Sequence, residues 1–265
     1  MGEGFSMNIY VFVKRVPDTE SKVRIDQGTR SVIEEGLNFV ISPYDEYAVE
    51  EALRLREAKG GTVRVFSVGR EESLVILKKC LAMGADEAVL IKDVTSESYD
   101  GLRTARTIAA AAKKFPGFDL LLFGKQSVGA DNAQAPSMVA ELLDLPQANV
   151  VIKLEISGNE GTAYREIEGG TEKVVFSLPA VVSAQKGLNE PRYETLKGIM
   201  AAKKKIIPVV PVEELGLTAE ELGSTVEIIG LDVPAPRQAG KILQGDPAEA
   251  ARELVRLLHE EAKVI

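Results

Sequence analysis

Residues 119–143 read DLLLFGKQSVGADNAQAPSMVAELL, and this order of residue types predicts a strand, a loop and a helix. Asp119 to Phe123 is almost continuously apolar, as buried strands of parallel sheets are. The next segment, Gly124 to Ala130, is small and polar. From Asp131 to Leu143 apolar residues return at helical spacing. Such a strand–loop–helix unit is typical of α/β proteins.

The same alternation continues upstream. Further strands are predicted over Ile9–Val13, Thr62–Val68 and Ala88–Ile91, and further helices from Ser42 to Gly60, over Glu72–Met83 and over Tyr99–Lys114. In the first of these helices Ser42 is the expected N-cap, Pro43 the first helical residue and Asp45 the residue that closes the cap. Strands separated by helices pair in parallel through right-handed crossovers. The predicted fold is therefore an open, mainly parallel Rossmann-like sheet with helices on both faces.

The pattern changes at Asn149, where four short predicted strands follow with glycine-rich turns. We expect them to extend the sheet and end it in an edge β meander. A proline-punctuated tail then leads to a helix that opens at Asp246-Pro247. The predicted domains are residues 1–208, which include a loop at 184–205, and residues 209–265, a linker and extended arm that packs on a partner chain.

Composition excludes several classes of protein. The 265 residues carry a net charge of -8, which argues against nucleic acid as the main partner. The single cysteine, Cys80, and the single histidine, His259, exclude disulfide frameworks and histidine-rich metal clusters. We find neither an apolar run long enough to span a membrane nor a targeting segment, and expect a bacterial or archaeal cytoplasmic protein.

The loop after Phe123 is the first candidate site. In an open parallel sheet, ligands bind at the carboxyl ends of the strands. Gly124-Lys125-Gln126 offers a flexible residue, a cation and an amide, and the N–H groups at the start of the next helix suit a phosphate. The loop matches neither of the common phosphate-binding fingerprints. From the residues alone, a nucleotide site and a plain connection remain equally open.

A second segment, Gln185 to Met200, combines Leu, Met, Tyr, Arg and Pro. These residue types can anchor a partner protein. The simpler interpretation, which the residues alone favour, is a solvated helix start with Leu196 and Ile199 packed inward.

With these two segments the chain resembles the β subunit of electron-transfer flavoproteins. The resemblance runs from about Met7 to Pro208 and is most specific in LNEPRY at 188–193, followed by TL at 195–196, IM at 199–200 and AKKK at 202–205. Other matches are VKRV at 13–16, AVEEA at 48–52, LAMGAD at 81–86, GKQ at 124–126, REI at 165–167 and LPAVV at 178–182.

The resemblance implies a heterodimer with a larger α subunit, which holds the redox-active FAD, and AMP bound in the β subunit. By matching position, the implied nucleotide contacts are Phe12, Ser42, Pro43, Tyr44, Asp45, Val68, Gly124, Lys125, Gln126, Ser127, Val128, Gly129, Ala130, Asp131, Asn132, Ala133, Gln134 and Ala135. The implied docking residues for a flavoprotein dehydrogenase, such as an acyl-CoA dehydrogenase, are Leu188, Asn189, Glu190, Pro191, Arg192, Tyr193, Leu196, Ile199 and Met200, with Leu196 as anchor. Glu166 matches a glutamate that helps govern movement of the flavin domain. Electrons would continue to a quinone-linked oxidoreductase.

The loop at 128–136 departs from the family pattern. The AMP-binding branch carries a run of aspartates there, whereas this chain reads VGAD at 128–131. In an electron-bifurcating branch a second FAD replaces AMP and the loop reads DGDTAQVGP. This chain shares Asp131, Ala133 and Gln134 with that pattern but lacks its first aspartate and its threonine. We therefore favour AMP.

Two other functions remain as alternatives. The complex could be an NADH-dependent bifurcating enzyme, in which this loop binds a second FAD. The chain could also be a free-standing nucleotide-binding protein with the same sheet, which would stay soluble without an α subunit.

Overall fold

The computed structural model describes residues 6–95, 100–236 and 239–265. They form two compact units, one that extends to Gly230 and one from Leu231 to Ile265. The first unit extends past the boundary predicted at residue 208, because Val209–Pro211 adds a strand to the sheet beside Leu90–Lys92. The compact unit thus includes the first part of the predicted arm, and the packing of residues 209–265 on a partner chain stays a prediction.

The strands are β1 (Met7–Phe12), β2 (Arg15–Pro17), β3 (Ile25–Asp26), β4 (Ser31–Val32), β5 (Phe39–Ile41), β6 (Gly61–Gly69), β7 (Glu87–Lys92), β8 (Leu120–Gly124), β9 (Gln147–Ser157), β10 (Glu160–Ile167), β11 (Gly170–Ser177), β12 (Ala180–Ala184) and β13 (Val209–Pro211). Within the described ranges, nine of them form one sheet in the order β11-β10-β9-β12-β8-β1-β6-β7-β13. In this sheet only the β9–β10 and β10–β11 pairs are antiparallel. The short antiparallel pairs β2–β5 and β3–β4 lie outside it. The mainly parallel sheet with an edge meander is confirmed.

The helices are α1 (Pro43–Lys59), α2 (Leu74–Met83), α3 (Gly101–Lys114), α4 (Ala135–Leu143), α5 (Leu196–Ala202), α6 (Ala219–Leu222) and α7 (Pro247–Glu260). Tyr99, the predicted first residue of α3, lies outside the described residues.

Alternate residues of the central strands face opposite sides of the sheet. Ile9 and Val11 of β1 pack with α1 and α2 in one core. Tyr10 and Phe12 pack with α3 and α4 in the other. Burial on both faces explains why these strands are almost continuously apolar.

Helix α4 begins at Ala135, four positions after the predicted start at Asp131. Asp131 and Ala133 have a φ of 50°, in the left-handed region. A right-handed helix cannot include such residues. The segment 131–134 is therefore a loop. Since Pro136 has no N–H and the Met138 N–H donates to the Gln134 carbonyl, the helix start offers the N–H groups of Ala135 and Ser137.

Candidate functional site

A pocket lies at the carboxyl ends of β1, β6 and β8, between the starts of α3 and α4. The predicted nucleotide residues that line it are Phe12, Asp45, Val68, Gly124, Lys125, Gln126, Ser127, Ala130, Asn132, Ala133, Gln134 and Ala135. The predicted residues that do not line it are Ser42, Pro43, Tyr44, Val128, Gly129 and Asp131. The pocket stands where ligands bind in open parallel sheets.

The sequence did not predict the wall of the pocket that faces the loop at 124–135. That wall includes Asp100, Gly101, Thr104 and Ile108 of α3 and its N-cap, together with Arg70 and Ser73 after β6. Gly101, Thr104 and Ile108 stand at i, i+3 and i+7, so they share one helix face. This helical spacing is the signal in the sequence that could have identified the wall. Val13, Lys14, Arg15, Gly69, Phe123 and Pro136 complete the lining.

The floor of the pocket is aromatic. The Phe12 ring lies between those of Phe66 and Phe123, with both pairs of ring centroids 5.1 Å apart and nearly parallel planes. Phe12 and Phe123 are almost fully buried, and Val68 and Ile108 extend the apolar surface. A flat apolar ring can pack on such a floor.

The rim of the pocket carries four cationic side chains, those of Lys14, Arg15, Arg70 and Lys125. The Lys125 ammonium also lies 4.8 Å from the centre of the Tyr44 ring. Glu34 forms ion pairs with both arginines. The excess of positive charge, in a chain of net charge -8, favours an anionic ligand.

The carboxyl of Asp45 fastens two strand ends to α1. It accepts hydrogen bonds from the backbone N–H of Lys14, at 2.8 Å, and of Gly124, at 3.0 Å. Burial raises the pKa of Asp45 to about 7, although these N–H groups oppose the rise. A Cβ on residue 124 would lie 2.4 Å from the Asp45 carboxylate, so this close approach requires glycine. The prediction that Asp45 closes the α1 cap is wrong, since its carboxyl binds these two strand ends instead.

Asp100, the other carboxyl in the pocket wall, is also engaged. It accepts hydrogen bonds from the backbone N–H groups of Arg103, at 3.0 Å, and Thr225, at 2.6 Å. Although burial opposes ionisation, these bonds lower the pKa of Asp100 to about 2. Both acidic groups of the wall are thus bound to the protein backbone, whereas Glu34 pairs with the two rim arginines.

The loop from Lys125 to Gln134 has its own internal contacts. The Gln126 amide donates to the Asp131 carboxylate at 2.8 Å, and the Asp131 N–H donates to the Ser127 carbonyl at 2.9 Å. A Cβ on Gly101 would lie 3.1 Å from the Gln134 side-chain oxygen, so the loop closes tightly against α3.

The predicted docking residues lie in a separate segment. Leu196 is 84% exposed and Tyr193 is 93% exposed. Ile199 packs against the core beside α2. The prediction that Leu196 packs inward is therefore wrong, whereas that for Ile199 is confirmed. Met200, one turn after Leu196, is also exposed.

The remaining docking residues vary in burial. Asn189 is buried, Glu190 is exposed, and Leu188, Pro191 and Arg192 are half-buried. Glu166 lies apart from the pocket lining, exposed on β10 opposite Thr171 of β11.

The described part of the chain contains no group of three or more His, Cys, Asp or Glu side chains that could hold a metal ion. None of its helices has the length and apolar character needed to cross a bilayer. Cys80 is buried, and this burial raises the pKa of its thiol. His259 is exposed on α7.

Comparison with known proteins places the chain in one family. A family model described as electron transfer flavoprotein domain matches residues 29–215. The chain is 42% identical to the electron transfer flavoprotein subunit beta of Bacillus subtilis, over 98% of this chain and 100% of that protein. It is 39% identical to the protein of that name from Thermoanaerobacterium thermosaccharolyticum, over 96% and 98%.

A third relative carries a different name. The subunit CarD of the caffeyl-CoA reductase-Etf complex of Acetobacterium woodii is 35% identical, over 96% of this chain and 98% of that protein. On these matches, the chain belongs to the electron transfer flavoprotein family, as a β subunit.

Proposed function

We propose that this β subunit binds AMP in the pocket at the strand ends, and pairs with an α subunit whose FAD it helps to enclose. The pair carries electrons from a flavoprotein dehydrogenase, such as an acyl-CoA dehydrogenase, to a quinone-linked oxidoreductase. The single observation that supports the nucleotide is the rim of four cations above an aromatic floor. The chain's own chemistry is binding and docking.

The pocket residues fit the two parts of AMP. The floor of Phe12 and Phe123 suits the adenine ring, because flat aromatic surfaces pack on one another. Lys14, Lys125 and the free N–H groups at the start of α4 suit the phosphate. Gly124 and the small residues after it permit the close backbone approach that such a ligand needs.

The nucleotide content of the αβ complex tests this assignment. The complex is purified with its α subunit and denatured, and the released nucleotides are quantified by chromatography. We expect one FAD and one AMP per heterodimer. Two FAD and no AMP would contradict the AMP assignment.

That second outcome would favour an NADH-dependent bifurcating complex. Asp131, Ala133 and Gln134, which match the loop of that branch, support this second candidate. The relative CarD, named as a subunit of a caffeyl-CoA reductase-Etf complex, shows that a similar chain can serve within a larger assembly. Reduction of both a high- and a low-potential acceptor by NADH would distinguish this function.

Dehydrogenase docking is assigned to the segment around Leu196. An exposed leucine of this kind, held on ordered structure, can enter an apolar pocket of a partner. Tyr193 and Met200 add exposed apolar surface beside it. A contact made by a few exposed side chains buries little surface, and small interfaces are typical of transient complexes.

Substitution of the anchor tests the docking assignment. We expect Leu196→Ala to raise the KM of the dehydrogenase for the αβ complex by roughly tenfold or more, because an anchor side chain carries much of the binding energy. The flavin spectrum and thermal stability should not change. Val75 of α2 is also an exposed apolar side chain, so Val75→Ala is the matched control. Unchanged KM in Leu196→Ala would exclude the docking role.

A further inference from the structure

The segment that carries Leu196 is fastened to α1 by an arginine. The Arg192 guanidinium donates to Glu50 through Nε, at 2.8 Å, and through Nη2, at 3.0 Å. It donates to Glu57 through Nη1, at 2.5 Å, and through Nη2, at 3.1 Å. The Arg192 backbone N–H also donates to Glu50, at 3.1 Å. One side chain is thus held by two carboxylates spaced two helical turns apart.

These contacts differ from ordinary surface ion pairs in burial and geometry. The Glu50 side chain is only 5% exposed, and that of Arg192 is 32% exposed. Hydrogen bonds to Glu57 and Glu50 raise the pKa of Arg192 above its usual range, and Arg192 lowers that of Glu57. A planar guanidinium that binds carboxylates in pairs fixes direction as well as distance.

Two further contacts hold the same segment. Asn189 is buried, and its amide donates to the Tyr47 carbonyl and to the Glu51 carboxylate, both at 3.0 Å. On the other side, a Cβ on Gly198 would lie 2.1 Å from the Ala82 carbonyl oxygen, so α5 rests directly on the backbone of α2. Leu196 stands between these two attachments.

We infer that Glu50 and Glu57, acting through Arg192, are positioning residues that hold Leu196 in its docking geometry before a dehydrogenase arrives. The inference rests on the docking role proposed above. We call Arg192, Glu50 and Glu57 the clamp. Neither glutamate is among the predicted docking residues, so neither is required to touch the partner. The effect of the clamp is to remove in advance the conformational freedom that the segment would otherwise lose on binding, which lowers the cost of association.

The experiment uses the αβ complex and a purified acyl-CoA dehydrogenase. Arg192→Lys keeps the charge beside the buried Glu50 but cannot bind carboxylates in pairs. Glu57→Gln changes only the more exposed partner, so both variants should fold. We expect either change to raise KM roughly three- to tenfold, with kcat and the thermal denaturation midpoint unchanged. The double variant should add little to either single one, because both remove one interaction.

A second measurement does not depend on the partner. In hydrogen-exchange mass spectrometry of the αβ complex, we expect faster exchange over residues 188–202 in both clamp variants. The matched control is the ion pair of Arg64 and Glu87, whose arginine packs over the rings of Tyr10 and Phe115 on the face of the sheet away from α1. Arg64→Lys and Glu87→Gln should change neither KM nor this exchange.

The outcomes separate the clamp from the docking role itself. If Leu196→Ala raises KM but Arg192→Lys and Glu57→Gln do not, the clamp is refuted and docking stands. If Leu196→Ala also has no effect, the docking proposal fails. Equal increases in the Arg64 and Glu87 controls would refute a specific positioning role.

Discussion

At the residue scale, Asp45 joins three parts of the pocket with one buried carboxyl. It stands on α1 and binds the backbone where β1 and β8 end. Burial of this carboxyl also raises the free energy of its ionised form. The residue therefore links the shape of the pocket to pH.

We expect this link to appear in stability. Asp45 binds its proton more tightly in the folded chain, where its pKa is about 7, than in the unfolded chain, where it is near 3.8. Between these values only the folded state holds the proton, so the free energy of unfolding falls as pH rises, by at most about 1.4 kcal/mol per pH unit.

Comparison with Asp45→Asn isolates this contribution. Denaturation midpoints of the αβ complex are measured for both proteins at several values between pH 4 and pH 7. We expect the stability of the wild type relative to the variant to decline across this range. A constant difference would show that the two N–H bonds offset burial and that the carboxyl ionises at its usual pKa.

At the element scale, Gly198 determines how α5 packs on α2. Gly198, Ile199 and Ala202 face α2, whereas Leu196 and Met200 point outward. The residues alone favoured an inward Leu196 because leucine is usually buried, whereas the family resemblance implied a docking anchor. Only the contact of Gly198 with the Ala82 carbonyl, which local sequence does not reveal, fixes the orientation of the helix.

We expect Gly198→Ala to destabilise the αβ complex despite the better helix propensity of alanine. That propensity contributes about 1 kcal/mol. A Cβ 2.1 Å from a backbone oxygen forces α5 away from α2, and overpacking of this kind costs about 1–3 kcal/mol. Thermal denaturation and the dehydrogenase KM would both report the shift.

Gly170→Ala is the matched control for this change. A Cβ on Gly170 of β11 would meet nothing within 4 Å. Equal stability of the two variants would mean that α5 can move away from α2 at no cost.

The elements themselves were largely predictable. Leu120 to Phe123 is apolar because both faces of β8 are buried, and this reads directly from sequence. The start of α4 was not predictable in the same way. Asp131 and Ala133 adopt left-handed conformations within a loop that the Gln126 side chain and α3 hold in place. The α3 wall of the pocket was missed because residues distant in sequence form it.

At the scale of the whole molecule, the unit from Leu231 to Ile265 contains an amphipathic helix without a core of its own. No described residue of α7 is buried, and Leu254 and Val255 are exposed on its apolar face. An apolar face of this kind is typical of an interface. We propose that the arm, predicted from the sequence as residues 209–265, packs on the α subunit through this helix.

The arm can be tested in the full chain by co-purification with a tagged α subunit. We expect Leu254→Ser combined with Leu258→Ser to reduce the yield of heterodimer, because both changes remove apolar area from one helix face. Glu260→Gln, on the opposite face, should leave the yield unchanged. Normal assembly of the double variant would exclude α7 as a main contact.

The position of β1 in the sheet also affects how the chain is made. β1 is synthesised first but lies near the middle of the sheet, with Ile9 beside Val63 on one side and Leu120 on the other. A growing chain therefore leaves one edge of this apolar strand uncovered until the residues of β8 have left the ribosome. Parallel pairing over such distances is slow, and unpaired strand edges favour aggregation. We therefore expect the nascent chain to be most prone to aggregation before β8 has been made.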